Sequence, residues 1–273
     1  MRAAFPLLGR GGWTGGYVYL KNTLGLINSR LTAEIEPWVF LSPEEERKFG
    51  AELQPLVGGR VIVDPAISVS GRGPSLARAI VTGRDAALER LLLAAGIDVA
   101  FESASFYGAR FAVPTISWIP DFQHRHMPEM FGRLNWWRRD LGFRMQIRSG
   151  RAVMLSSRTA LADLERFYPE ARGRGQVVRF AIDVDPAPYL GRGEEMRATY
   201  ALPERYFFMP NQFWRHKNHS VIVEALGVLR AAGRLAALPP VILTGQPKDA
   251  RNPAHFENLM ARATVLGVNS HFR

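Results

Sequence analysis

Short apolar runs bounded by turn residues alternate with stretches of helical periodicity along the whole chain, and this alternation limits the possible folds more than any other feature. Residues 2–8, 34–41, 60–64, 98–102, 115–119, 152–155 and 176–180 read as strands. Helical patterns lie between them at about 17–30, from Ser42 onward, over 75–95 and 131–149, and in a stretch carrying Leu161, Leu164, Phe167 and Tyr168. Ser42-Pro-Glu-Glu-Glu is a strong helix start, with Ser as N-cap, Pro at the first position and acids in the first turn. The runs Asp98-Val-Ala-Phe-Glu102 and Thr115-Ile-Ser-Trp-Ile119 are continuously apolar rather than alternating, as in strands buried on both faces. The sequence therefore predicts an α/β fold with a parallel sheet covered by helices on both sides.

Pro and Gly cluster between 184 and 193, which predicts a linker. It divides a first lobe at 1–183 from a second at 194–273, where the pattern restarts with strands at 206–209 and 241–244 and helices at 219–232 and 254–266. A doubly wound lobe takes on the order of 150 residues, so the second lobe is expected to be incomplete within this sequence.

The absence of cysteine excludes disulfides, thiolate metal sites and a cysteine nucleophile. No segment approaches the roughly 18–20 apolar residues needed to span a bilayer, and the run at 1–8 is too short for a secretory signal. The expectation is a cytoplasmic protein, with peripheral contact at the inner face of a membrane as an addition. The formal charge of +10 suits phosphate-bearing partners. No nucleic-acid motif accompanies it, so nucleic acid is not expected as a partner.

Four segments can carry chemistry. Gly11-Gly-Trp-Thr-Gly-Gly16 lies between a strand and a helix, where glycines allow close approach of a ligand and the helix N-terminus favours an anion. It is neither a GxGxxG nor a P-loop. Trp118-Ile-Pro-Asp-Phe-Gln-His-Arg-His126 follows a buried strand, the place where open parallel sheets bind ligands. There Asp121, Gln123, His124 and His126 offer hydrogen bonds to sugar hydroxyls or a proton acceptor. His-x-His with one acid is a poor ligand set for zinc, and no metal is expected.

Phe207-Phe-Met-Pro-Asn-Gln-Phe-Trp-Arg-His-Lys-Asn-His219 runs from strand to helix. Arg215, Lys217 and the helix N-terminus can converge on a diphosphate and stabilise the charge that builds on it as it leaves. The fourth segment, residues 133–148, interleaves arginines with apolar side chains. Such a pattern suits either a helix packed on a sheet or a membrane surface.

Pro210-Asn-Gln-Phe-Trp-Arg-His-Lys-Asn218 and Trp118-Ile-Pro-Asp-Phe-Gln-His124 resemble motifs of the group 1 glycosyltransferases, the retaining family-4 enzymes. The order of parts also fits: glycine turn, mid-lobe loop, Ser156-Ser-Arg-Thr-Ala-Leu-Ala-Asp163, the 178–183 crossover, then the phosphate motif. The resemblance implies a GT-B-like fold of two Rossmann-like doubly wound lobes, the second incomplete. It implies metal-independent transfer, with retention, of a sugar from a UDP- or GDP-type nucleotide-sugar donor to a glycan or lipid-linked acceptor. No cofactor beyond the donor substrate is expected.

Gly15 and Gly16 would lie near the donor diphosphate, which Lys217 would hold together with Asn211 and Arg215. Asp121 and His124 would be the catalytic pair, and Gln123 and His126 would contact acceptor or sugar. Three departures stand out. Gln212 occupies the position five residues before Lys217 where many members carry Arg, so Arg215 would substitute. Pro120 precedes Asp121 where many members have His, leaving that role unfilled or moved to His124. The family's second-lobe glutamate pair, seven residues apart, does not occur after Gly245. An inactive fragment, a nucleotide-binding partner module and a nucleotide-sugar epimerase of the same fold remain alternative readings.

Overall fold

The computed structural model describes residues 1–7, 14–68, 72–103, 105–182, 184–249 and 251–273. The chain divides into two units, Met1–Val184 and Asp185–Arg273.

In unit 1 the elements run β1 (Arg2–Pro6), α1 (Thr14–Arg30), β2 (Glu36–Leu41), α2 (Pro43–Leu53), β3 (Val61–Val63), α3 (Arg72–Thr82), α4 (Ala86–Ala94), β4 (Val99–Ser103), β5 (Thr115–Ile119), α5 (Gln123–His126), α6 (Arg133–Arg148), β6 (Ala152–Leu155), α7 (Arg158–Phe167) and β7 (Gly175–Val177). The seven strands form one sheet in the order β3-β2-β1-β4-β5-β6-β7, and every pairing is parallel. The chain winds outward from β1 to β3, returns to the middle, and winds the other way from β4 to β7. The α/β expectation therefore holds in its doubly wound form, with the switch point between β1 and β4.

The strands are mostly apolar because both faces are covered. Phe5, Val39 and Leu41 point into one core with Leu24 and Leu53 from α1 and α2. Their neighbours Ala4 and Phe40 point the other way, against Leu88 and Leu92 of α4. A third core packs Ile119 and Val153 against Phe143, Ile147, Leu164 and Tyr168 from α6 and the end of α7. Each fully buried Leu or Phe contributes on the order of 2 kcal/mol, so these cores dominate stability.

Ser42 caps α2 as its sequence predicts: its side chain accepts from the Glu45 amide, while the Glu45 carboxylate takes the Ser42 amide at 3.0 Å. The stretch expected as one helix over 75–95 is instead two. Gly83 adopts φ +81°, ending α3, and Asp85 caps α4 by accepting from the Leu88 amide at 3.2 Å. The loop carrying Gly108 and Arg110 docks on this break, with the Arg110 amide bonded to the Gly83 carbonyl at 2.6 Å. α1 begins three residues before its expected start and takes in Gly15 and Gly16.

Glu102 and Arg151 form a buried pair at 2.5 Å. Glu102 also accepts from the Tyr107 amide at 2.8 Å and the Ser117 hydroxyl at 2.5 Å, and Arg151 donates to the Gly108 carbonyl. Burial pushes the Glu102 carboxyl upward, against the opposing pull of Arg151 and Ser117.

In unit 2, α8 (Gly193–Thr199) precedes β8 (Phe207–Pro210), α9 (His219–Ala231), β9 (Val241–Thr244) and α10 (His255–Val265). β8 and β9 pair in parallel, from Phe207 opposite Val241 to Pro210 opposite Thr244. The final residues add to the free edge of β9, where Phe272 bridges Val241 in parallel. Phe213, Val223, Leu226, Leu259 and Val268 form this unit's own core. Among the described residues no helix is long and apolar enough to cross a membrane.

Candidate functional site

In a doubly wound sheet the strand C-termini and the loops after them form the ligand-binding edge. Unit 1 places Asp121, Gln123, His124 and His126 along that edge, because they follow β5 directly, and Gly15 and Gly16 lie in the first turn of α1, the next described helix after β1. The start of the glycine turn, including Gly11 and Gly12, lies outside the described residues. Gly15 is exposed and Gly16 buried, both in the first turn of α1.

Asp121 is half exposed and fixed from two sides. Its carboxylate accepts from Arg139 at 2.7 Å and from the Gln123 amide at 3.0 Å, and the second bond starts α5. Gln123 itself is partly exposed at the head of that turn.

His124 was expected to share a catalytic role, but the structure buries its ring completely. Phe131, Trp136 and Phe143 surround the ring. Nε2 sits 3.3 Å from the Tyr168 hydroxyl and 3.5 Å from Asp140, while Nδ1 has no hydrogen-bond partner. Burial, reinforced by Arg139, lowers its pKa to about 4 against the opposing bond to Asp140. The buried, neutral ring packs beneath the loop and is not exposed to solvent.

Asp140 is the hub beneath it. It accepts from Tyr168 at 2.6 Å and Arg144 at 2.8 Å, and pairs with Arg125 at 2.6 Å. Burial would raise its pKa, but the Tyr168 and Arg144 bonds outweigh that and hold it below the ordinary carboxylate range.

His126 is different. Its side chain is 46% exposed and Nε2 lies 2.8 Å from an Asp163 carboxylate oxygen. This His–carboxylate pair at the binding edge joins α5 to α7 and can orient the imidazole for hydrogen bonding or proton transfer. Asp163 was not singled out in the sequence, and the span of 37 residues to its partner hid the pair.

Unit 2 brings Asn211, Arg215 and Lys217 together in the segment joining β8 to α9. Residues Arg215–Lys217 form one helical turn, and Asn218 then takes a left-handed conformation with φ 56° to start α9. Arg215 and Lys217 are both exposed. Among the described residues neither is paired with a carboxylate.

The loop after β9 closes against this segment. The Gln246 amide donates to Gln212 Oε1 at 2.6 Å, and the Phe213 amide to the Gln246 carbonyl at 3.1 Å. Gly245 makes this possible: at φ +147°, an added Cβ would lie 2.2 Å from the Asn211 carbonyl oxygen. Phe213 anchors the segment below by stacking on the buried His219 ring at 4.5 Å. Burial, with a contribution from nearby His255, lowers the His219 pKa against a weaker pull from the Asn211 backbone. Trp214 is covered by the Arg251 guanidinium at 5.1 Å, which Asp249 holds at 3.0 Å. Gln246 and Gly245 were not read from the sequence as site residues, although a Gly-Gln pair directly after a buried strand was the available signal.

The result is an exposed cationic turn at the N-terminus of a 13-residue helix, on the C-terminal edge of a parallel strand pair. Such an arrangement binds anions, because unsatisfied first-turn amides and the helix dipole add to the side-chain charges. Among the described residues no cluster of His, Asp and Glu has the makeup of a metal site.

No family model and no curated protein sequence matches the chain. Among solved structures, the crystal structure of WaaG, a glycosyltransferase involved in lipopolysaccharide biosynthesis, aligns over 100% of this chain and 69% of its own, with TM-score 0.52 and 15% identity. A Listeria monocytogenes protein described as a UDP-N-acetylglucosamine 2-epimerase aligns at TM-score 0.45 and 10% identity, covering 100% of this chain and 67% of its own, too remote to argue from. The first likeness shows a shared fold: this chain has the GT-B-like α/β architecture of Rossmann-like units.

Proposed function

We propose that this chain is a nucleotide-sugar-dependent glycosyltransferase acting on a glycan or lipid-linked acceptor, with retention and without a metal. The observation that carries the reading is the exposed, carboxylate-free pair Arg215 and Lys217 at the head of α9. Glycosyl transfer from a UDP- or GDP-type donor places growing negative charge on the departing diphosphate. Lys217 supplies a point charge, Arg215 a planar fork, and the α9 amides further donors, so the leaving group is stabilised where a metal would otherwise serve. Asn211 shapes the loop at the same turn, with its carbonyl packed against Gly245.

On unit 1, Asp121, Gln123 and the His126–Asp163 pair are the groups offered to acceptor hydroxyls, and Gly15 and Gly16 allow close approach at the start of α1. His124 is assigned a positioning role under this loop. The fold shared with a glycosyltransferase and the sequence resemblance both support the reading.

The test is incubation with UDP- and GDP-sugars in the presence of a chelator, followed by NMR of the product's anomeric signal. Sugar transfer with the donor's anomeric configuration kept is the expected result. Transfer that needs added divalent metal, or that inverts the anomeric carbon, contradicts the reading. Nucleotide binding without any turnover would favour a binding module.

A further inference from the structure

Directly behind the cationic turn of unit 2, α9 buries a titratable ring that makes no hydrogen bond. His219 is the first residue of α9 and only 2% exposed, and among the described residues neither its Nδ1 nor its Nε2 has a partner. The ring stacks on Phe213 at 4.5 Å with the two planes 16° apart. His219 also borders a cavity of about 10 Å³ whose other walls include Met209, Ile222, Leu243 and Phe272. That volume is at the lower limit for a single water, and apolar walls offer a water no second partner. Phenylalanine would fill the same place without the cost of an unsatisfied buried polar group, so the imidazole calls for a use.

Among the described residues no carboxylate is placed to support a charge on this ring. β8 and β9 carry no ionisable side chain. Glu224 of α9 is bonded to Arg262 of α10 at 2.6 Å, and Glu257 is exposed. Asp249 is taken up by Arg251 and lies towards His216. Arg230, His271 and Arg273 meet the carbonyls of Leu266, Pro239 and Ala201. From the start of α10, His255 opposes a charge on the ring, and Arg215 and Lys217 stand four and two residues before it. Burial first and His255 second hold the His219 pKa below its ordinary 6.5, against a weaker pull from the Asn211 backbone. In the unliganded chain the ring is therefore neutral near pH 7.

A bound diphosphate reverses the local charge. His219 supplies the first backbone amide of α9, one of the groups that an anion at this helix start engages. An oxygen accepting from that amide lies within about 7 Å of the same residue's imidazole, close enough for an opposite charge to favour protonation. It also offsets Arg215 and Lys217, which oppose a charge on the ring in the unliganded turn. We infer that His219 couples the turn to protons: its ring is neutral in the unliganded chain and takes up a proton from solvent when a diphosphate binds. The proton fills the lone pair of the imidazole, and no bond in the ligand changes. The side chain acts on the ligand through charge and needs no contact with it. This inference rests on the diphosphate reading proposed above and adds to it a regulation by pH. The complex binds more protons than the free chain, so affinity rises as pH falls through the pKa of the complex and levels off below that of the free chain.

The experiment is calorimetric titration of the full chain with UDP-glucose, GDP-mannose and ADP-glucose, in two buffers of different ionisation enthalpy. The esterified diphosphates of these probes do not titrate near neutrality, so linked protons belong to the protein. The wild type is expected to take up a fraction of a proton per ligand near pH 6, and its affinity to rise about threefold as pH falls from 8 to 5.5. His219→Phe keeps an aromatic ring against Phe213 and removes the titration. It should still bind at pH 8, with most of the linked uptake gone and a flatter pH profile, and a melt at pH 8 no lower than the wild type's shows that it is folded. As a readout on the unaltered chain, the NMR titration of the His219 ring should move to higher pH when ligand is added. Binding without linked protons, uptake undiminished in His219→Phe, or a ring titration that ligand leaves in place overturns the inference and leaves the diphosphate reading standing. No binding of any of the three probes overturns both.

Discussion

At the scale of single residues, the loop after β5 separates two histidines that the sequence places two positions apart. His124 is enclosed by rings from α6 and by Tyr168, whereas His126 faces solvent and pairs with Asp163. The burial of His124 has a consequence for stability. Its folded pKa is about 4, below the ordinary value of 6.5, so the unfolded chain binds more protons between these values. Stability contributed by the neutral ring is full above pH 6.5 and is lost as pH falls toward 4, on the order of 3 kcal/mol across the window. Thermal melts over that range should show a steep fall for the wild type and a shallower one for His124→Asn. Equal slopes would show that the ring is not held neutral in the native state. None of this burial was legible in His-Arg-His itself, because the groups that enclose His124 lie on α6 and just beyond α7. The polar character of the loop was legible. Which of its polar groups face solvent was not.

At the scale of elements, alternating apolar runs and capped helices were legible because parallel strands covered on both faces have little polar content. Ser42 and its acidic first turn announced α2 in the same way. The break between α3 and α4 was obscured by the surrounding Ala, Leu and Arg, although Thr82-Gly-Arg-Asp85 holds both a stop and a cap. Short α8 was missed because it starts where the Gly- and Pro-rich linker at 184–193 ends.

Elements that meet far apart in sequence are fastened by the Glu102–Arg151 pair, which ties β4, β5 and the start of β6 to the loop at Gly108. Replacing Arg151 with Met leaves a buried carboxylate without its countercharge, a loss of about 3–5 kcal/mol. Adding Glu102→Gln to that variant removes the stranded charge, so the double variant should recover much of the loss in a urea titration. A single variant within about 1 kcal/mol of the wild type would show that the pair does not carry this role.

At the scale of the whole molecule, the chain is two units with separate sheets and separate cores. Under the proposed function, Asp121, Gln123 and the His126–Asp163 pair would meet an acceptor from unit 1, and Arg215 and Lys217 would meet the diphosphate from unit 2. The boundary at 184/185 coincides with a composition that is rich in Pro and Gly. The turn proposed to bind phosphate was the most legible part of the candidate site, since two cations and a helix start in one short segment need no distant partner. The loop that closes over it, from Gly245 to Gln246, depends on strand pairing and emerged only in three dimensions.

The claim that this turn is a diphosphate clamp is central, and calorimetric titration of the full chain with UDP, GDP and ADP, without metal, tests it directly. The account expects micromolar binding of one nucleotide, weakened at least about tenfold in Lys217→Ala, or about 1.4 kcal/mol. Binding that is indifferent to Lys217, in a variant with an unchanged melt, would contradict it.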